Sequence, residues 1–233
     1  MTNLHSRKND IDALVANVKS EYKAIEGLYN ASLHKKEIDP NLKIKVKNYL
    51  ENARSILDYC AHDVADVAGV ASDKIYFPIV ERTSNAAGFQ GSIGRNLPGL
   101  ESKNSKLFNY FESIQPYHAD YSWLGDFVMV TNDTKHSQLT PQTKSETQRV
   151  VSQHVGGGEV SWNPSAVRFG SGVFINGAPV NPVTQLPVST PETIIKIENW
   201  VDFKFMSSVS ALPLLKKIHD VIPTMIDEVY KLI

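Results

Sequence analysis

Leu50-Glu51-Asn52-Ala53-Arg54-Ser55-Ile56-Leu57-Asp58-Tyr59-Cys60-Ala61-His62-Asp63-Val64 reads as one largely buried helix with a polar stripe along it. Leu50, Ala53, Ile56, Leu57, Cys60 and Val64 recur at three or four residues and so share a face. Arg54, Asp58 and His62, each four apart, share another. The apolar pattern begins upstream at Leu42, Val46 and Tyr49, after the helix-start signal Asp39-Pro40, and stops near Gly69. From about Asn9 to Leu33 the same period runs through Ile11, Leu14, Val15, Val18, Tyr22, Ile25 and Leu28, with Asp10 available as an N-cap. Two such segments joined by a short link predict an antiparallel helical hairpin.

Outward from this hairpin the texture changes. Tyr76-Phe77-Pro78-Ile79 reads as a short extended anchor, and the Gly- and Asn-rich run to Pro98 has no period, which predicts a long surface loop. Helical spacing returns over Ser105 to Ile114, halts at Gln115-Pro116-Tyr117, and resumes from Ala119 to His136 through Trp123, Leu124, Phe127 and Val128. Between Gln148 and Phe205 lie short β-prone runs separated by Gly, Pro and Asn, among them Val150-Val151, Val160-Ser161-Trp162, Val167-Arg168-Phe169, Val173-Phe174-Ile175 and Ile194 to Ile197. Asn176-Gly177 among them is a hairpin signal. Ser210 to Leu232 is again an apolar helix, with Pro213 in its first turn and Pro223 expected to kink it. The expected fold is α+β, mainly α: an antiparallel helical bundle (1–147 and 206–233) with a small antiparallel β-sheet insertion (148–205) before the C-terminal helix.

The 233 residues are 42% hydrophobic and 21% charged, the balance of an ordinary globular chain with material for a core. A net charge of -1 gives no global footprint for nucleic acid or anionic membrane. Cys60 has no second cysteine to pair with and reads as a small core filler. Met1 to Lys8 lack the apolar stretch of a signal peptide and no later segment is long and apolar enough to span a bilayer, so no membrane partner and a cytoplasmic location are the expectations. The seven histidines stand without metal-ligand spacing, so neither a metal nor another cofactor is expected. Gly156-Gly157-Gly158 precedes β-prone residues and reads as a turn, not a phosphate loop, and no Gly-x-Ser-x-Gly elbow occurs. Gly91-Ser92-Ile93-Gly94-Arg95-Asn96 sets a cation among small residues, mostly the composition of a loop, although it could touch an anion.

Two polar stripes remain as candidates for chemistry. Arg54 and Asp58 suit an ion pair along the helix, worth a few tenths of a kcal/mol if solvated, or a phosphate-binding edge that His62 extends. On the later helix Asn132 and His136 are four apart, so the amide could fix the imidazole, and Lys135 adds a cation. His136, with Asn132 and Lys135, could then serve as general acid or base on a phosphodiester while Arg54 stabilises the phosphoryl oxygens. The plain alternative is a polar helix end that offsets the macrodipole. If the stripes share a site, their helices must pack together.

Leu50 to Tyr59, Tyr76-Phe77-Pro78-Ile79, Ile114-Gln115-Pro116-Tyr117 and Asn132-Asp133-Thr134-Lys135-His136 resemble, in order and spacing, a widespread group of bacterial proteins over roughly the first 140 residues. That group is similar in turn to the HEPN superfamily of α-helical bundles, many of them metal-independent ribonucleases of toxin–antitoxin and phage-defence systems. The superfamily's signature is an Arg, a polar residue such as Asn, three residues and a His; Asn132 to His136 matches its second part, and Thr131 stands at the Arg position. The resemblance implies action on RNA or a nucleotide, a homodimer and an antitoxin or other protein partner. Other members are non-catalytic binding or dimerisation modules, the alternative expectation for this chain.

Overall fold

The computed structural model describes residues 7–35, 39–72, 74–136, 142–162, 164, 167–205 and 209–233, with side chains except those of 33–35, 40, 134–136, 142–148 and 198–202. It is an α+β structure, mainly α, with a small antiparallel sheet ahead of the last helix. Two compact units form, Met1–Thr143 with Lys204–Ile233, and Lys144–Phe203. Among the described residues no helix is long and apolar enough to cross a membrane.

In the larger unit α1 (Lys8–Lys35) runs antiparallel to α2 (Pro40–Ala68). Arg7 meets Asp63, Glu21 meets Asn52, and Ser32 meets Asp39, a pairing that only opposite chain directions allow. Asp39 caps α2 by accepting from the Asn41 N–H at 2.8 Å, and Pro40 occupies the first turn, where its missing N–H is not needed. Gly69 closes the helix in the left-handed region at φ 61°. Asp10 is not a cap but lies inside the first turn of α1, where its carboxylate still faces the positive end of the helix dipole.

The stretch expected as a long loop contains α3 (Ala86–Asn96). Asn85 caps it through the Gly88 N–H at 3.1 Å, and Phe89 and Ile93, one turn apart, are buried. Glycines 88, 91 and 94 mask that period, since each costs about 1 kcal/mol of helix preference relative to Ala. Burial of the aromatic face wins. After α4 (Leu100–Lys103) and α5 (Ser105–Ser113), a turn of 3-10 helix at Ala119–Tyr121 leads into α6 (Ser122–His136). The last element is α7 (Ala211–Leu232), which runs continuously through Pro223. It buries Leu214, Leu215, Ile218, Ile222, Met225, Ile226 and Val229 and packs on α1, α2, α5 and α6. Each such side chain contributes about 1.5–3 kcal/mol, so this helix closes the core.

The smaller unit is built on β1 (Gln142–His154), β2 (Glu159–Trp162) and β5 (Thr193–Phe205) in the order β2-β1-β5, with β3 (Phe174–Ile175) and β4 (Ala178–Pro179) as a separate hairpin. β1 starts ahead of the Gln148 boundary and pairs antiparallel with β2, Val150 opposite Trp162 and Ser152 opposite Val160. Asn176 (φ 52°) and Gly177 (φ 80°) make the β3–β4 turn, both in the region a two-residue hairpin demands. The run Val167 to Phe169, expected as a strand, is irregular: the Gln185 side chain takes the place of a strand partner, accepting from the Phe169 N–H at 2.6 Å and donating to its carbonyl at 3.2 Å.

Candidate functional site

The extended segment around Phe77 lies in neither helix nor strand, so its buried backbone groups need other partners. Side chains from two helices supply them. On α2, Arg54 and Asp58 form a two-point ion pair, Nη2 to Oδ1 at 3.0 Å and Nε to Oδ2 at 3.1 Å. Asp58 Oδ1 also accepts from the Phe77 N–H at 3.1 Å, and Arg54 Nη2 reaches the Phe77 carbonyl at 3.5 Å. Gln115, fully buried just beyond α5, accepts from the Val80 N–H at 3.1 Å and donates to the carbonyls of Pro78 and Phe111, each at 2.7 Å. Phe77 itself is buried edge-on against Phe111, ring centroids 5.1 Å apart. Arg54-x-x-x-Asp58, Phe77-Pro78 and Gln115 are therefore one clamp that holds a strap in place. His62, half-buried a turn further along α2, takes no part in it.

At the other stripe, Thr131 is 1% exposed and its hydroxyl donates to the Phe127 carbonyl at 2.7 Å. Asn132 is exposed. The side chains of Lys135 and His136 lie outside the described residues, as does any contact between them and Arg54.

The strap separates two concavities of the larger unit. The first, about 440 Å³, lies between residues 80–83 and α6. Val80, Val128 and Met129 give it an apolar lining, and Glu81, Arg82, Asp126, Asn132 and Asp133 give it a polar one. Gly125 lets the two walls meet: a Cβ there would stand 3.1 Å from Arg82 Cβ and 3.3 Å from both the Arg82 nitrogen and Pro116 Cβ. The second, about 570 Å³, lies between residues 79–84 and α3, where Ser92 and Arg95 of the small-residue run meet Thr83 and Ser84. Neither is lined by Arg54, Asp58 or His62, whereas Asn132 lines the first.

One strongly placed polar group escaped the sequence reading. Asp63 is fully buried and accepts from the Arg7 N–H at 3.3 Å, from Arg7 Nη1 at 3.0 Å and from the Tyr230 hydroxyl at 2.6 Å. It ties the start of α1 and the end of α7 to α2. Burial pushes the Tyr230 hydroxyl well up from its ordinary pKa, and its hydrogen bond to Asp63 adds to the shift. Burial also pushes the Cys60 thiol up, with Asp63 adding, so the sulfur stays protonated and acts as core. Nothing in the spacing of Asp63 marks it, because both partners are distant in sequence. Among the described residues no three His, Cys, Asp or Glu side chains are grouped to hold a metal ion.

Compared with known proteins, the chain matches no family model, no curated protein and no solved structure.

Proposed function

We propose that this chain is a non-catalytic binding module, a helical bundle whose polar motif residues fix the strap and whose cleft beside α6 receives a ligand. The observation that carries this reading is the clamp. Arg54 and Asp58 direct their hydrogen bonds to each other and to the backbone of Phe77, which leaves them poorly placed to meet a phosphoryl group. Two further features support it. Thr131, where the HEPN signature has its Arg, is turned into the core. The described lining of the cleft carries three carboxylates, Glu81, Asp126 and Asp133, against the one guanidinium of Arg82, a balance that disfavours phosphate.

A second reading keeps one support of its own. In a HEPN-like ribonuclease His136 would move the proton, Asn132 would orient it and Lys135 would bind phosphate; the exposure of Asn132 on the cleft wall suits that arrangement. Incubating labelled RNA with the full chain in excess EDTA separates the two. The binding-module reading expects no cleavage above buffer from wild type or His136→Ala. Cleavage by wild type that drops by about a hundredfold or more in folded His136→Ala would overturn it in favour of the nuclease.

A further inference from the structure

We propose that Asn176-Gly177 is a self-modification site, held unreactive by the fold, whose deamidation undocks the β3–β4 hairpin from β1. The reaction needs only solvent water. The Gly177 amide nitrogen attacks Cγ of Asn176 and closes a five-membered imide, while its proton ends on the side-chain nitrogen, which leaves as ammonia. Water then opens the imide at either carbonyl, giving aspartate or, with the chain rerouted through the β carbon, isoaspartate. Glycine hinders this attack least because it has no side chain, and Asn176-Gly177 is the one Asn-Gly pair in the sequence.

Three features hold the folded turn away from this reaction. Asn176 has φ 52°, and a residue with a Cβ at that φ is confined to ψ of about +30 to +60°. That rotation turns the Gly177 nitrogen away from the Asn176 Cβ, so ring closure requires the turn to be undone. The Asn176 carbonyl, which would have to swing, accepts from the hydroxyl of buried Thr193 at 3.0 Å. Its side-chain amide is pinned too, donating through Nδ2 at 2.8 Å to the carbonyl of Ser152, a fully buried residue of β1. Gly177 itself is exposed, so geometry and not lack of water protects the site. The product does not fit the same place. Either acid sets a carboxylate where Nδ2 stood, facing the Ser152 carbonyl acceptor to acceptor, and a half-buried charge without a donor is costly. Isoaspartate also lengthens the backbone of a two-residue turn whose geometry is fixed by its length. With the ammonia gone, closing the hairpin again does not reverse the change.

The test incubates the full chain in warm, mildly alkaline buffer, folded or unfolded in guanidinium chloride, and follows conversion at Asn176 by peptide mass spectrometry. Conversion in the unfolded chain is expected to be at least about tenfold faster than in the folded one, since local opening must precede attack. Thr193→Val keeps the side-chain shape but removes the donor to the Asn176 carbonyl. It is expected to speed conversion several-fold in the folded chain and to leave the unfolded rate unchanged. Asn176→Asp stands in for one product. Its Val180 amide, which donates to the Val173 carbonyl at 2.9 Å across the hairpin, is expected to lose hydrogen-exchange protection while β1 and β2 keep theirs. The rate comparison on wild type needs no variant to fold. The proposal is overturned if folded and unfolded chains convert at the same rate, if the unfolded chain stays unmodified at Asn176, if Thr193→Val leaves the folded rate unchanged, or if Val180 in Asn176→Asp exchanges as in wild type.

Discussion

The Arg54–Asp58 pair is visible in the sequence as an i, i+4 spacing, but its purpose is not. Both side chains close on Phe77, 23 and 19 residues away, a contact no local pattern encodes. Gln115 is more obscure still, since beside Pro116 it reads only as the end of a helix, while in the fold its amide serves three backbone groups. The buried hydroxyls lead to a measurable pH dependence. Burial, followed by the hydrogen bond to Glu26, pushes Tyr22 up to about 12. Tyr49, Tyr110, Tyr117 and Tyr230 are raised too, in each case chiefly by burial. In the unfolded chain these groups ionise near pH 10. Above that pH the unfolded state loses protons that the folded state keeps, so stability present below pH 10 is lost as pH rises toward 12 and beyond. At about 1.4 kcal/mol per unit, Tyr22 alone accounts for up to about 3 kcal/mol by pH 12. The urea midpoint is expected to fall steadily between pH 9 and 11.5. An unchanged midpoint would show that these hydroxyls are not held neutral by the fold.

At the scale of elements, α1, α2, α5, α6 and α7 are legible because their apolar residues keep a helical period over two or more turns. Of the elements the sequence does not announce, α3 and α4, the longer, α3, has only Phe89 and Ile93 to carry that signal, between three glycines. Its formation depends on tertiary burial, which a local reading cannot weigh. Gly91 has a helical backbone and a Cβ built there would meet no atom within 4 Å. Gly91→Ala is therefore expected to stabilise the protein by about 0.5–1 kcal/mol. Thermal melting checks this, and a lowered midpoint would mean that the position is crowded or not helical. The sheet insertion was legible in type and place, with the Asn176-Gly177 turn the strongest signal. The irregular run at Val167 was not, because the amide of Gln185 substitutes for a strand there.

For the whole molecule, three stretches far apart in the chain converge on one structural task. Leu50 to Tyr59, Phe77-Pro78 and Gln115 lie far apart in sequence and meet around one strap, which in turn forms a wall of both cavities. Their side chains are accounted for by hydrogen bonds and packing around that strap. The cleft between strap and α6 was beyond the reach of sequence reasoning, because its walls, residues 80–83 and α6, are distant in sequence and come close at Gly125 and Arg82 only in the fold. Hydrogen exchange tests the clamp directly. The amides of Phe77 and Val80 belong to no helix or sheet, yet they donate to Asp58 and Gln115. Resolved residue by residue, both are expected to exchange as slowly as the core amides of α2, with Gln115→Leu releasing Val80 selectively. Exchange of both in the wild type as fast as in an exposed loop would contradict the clamp and return Arg54 and Asp58 to the list of groups free for a ligand.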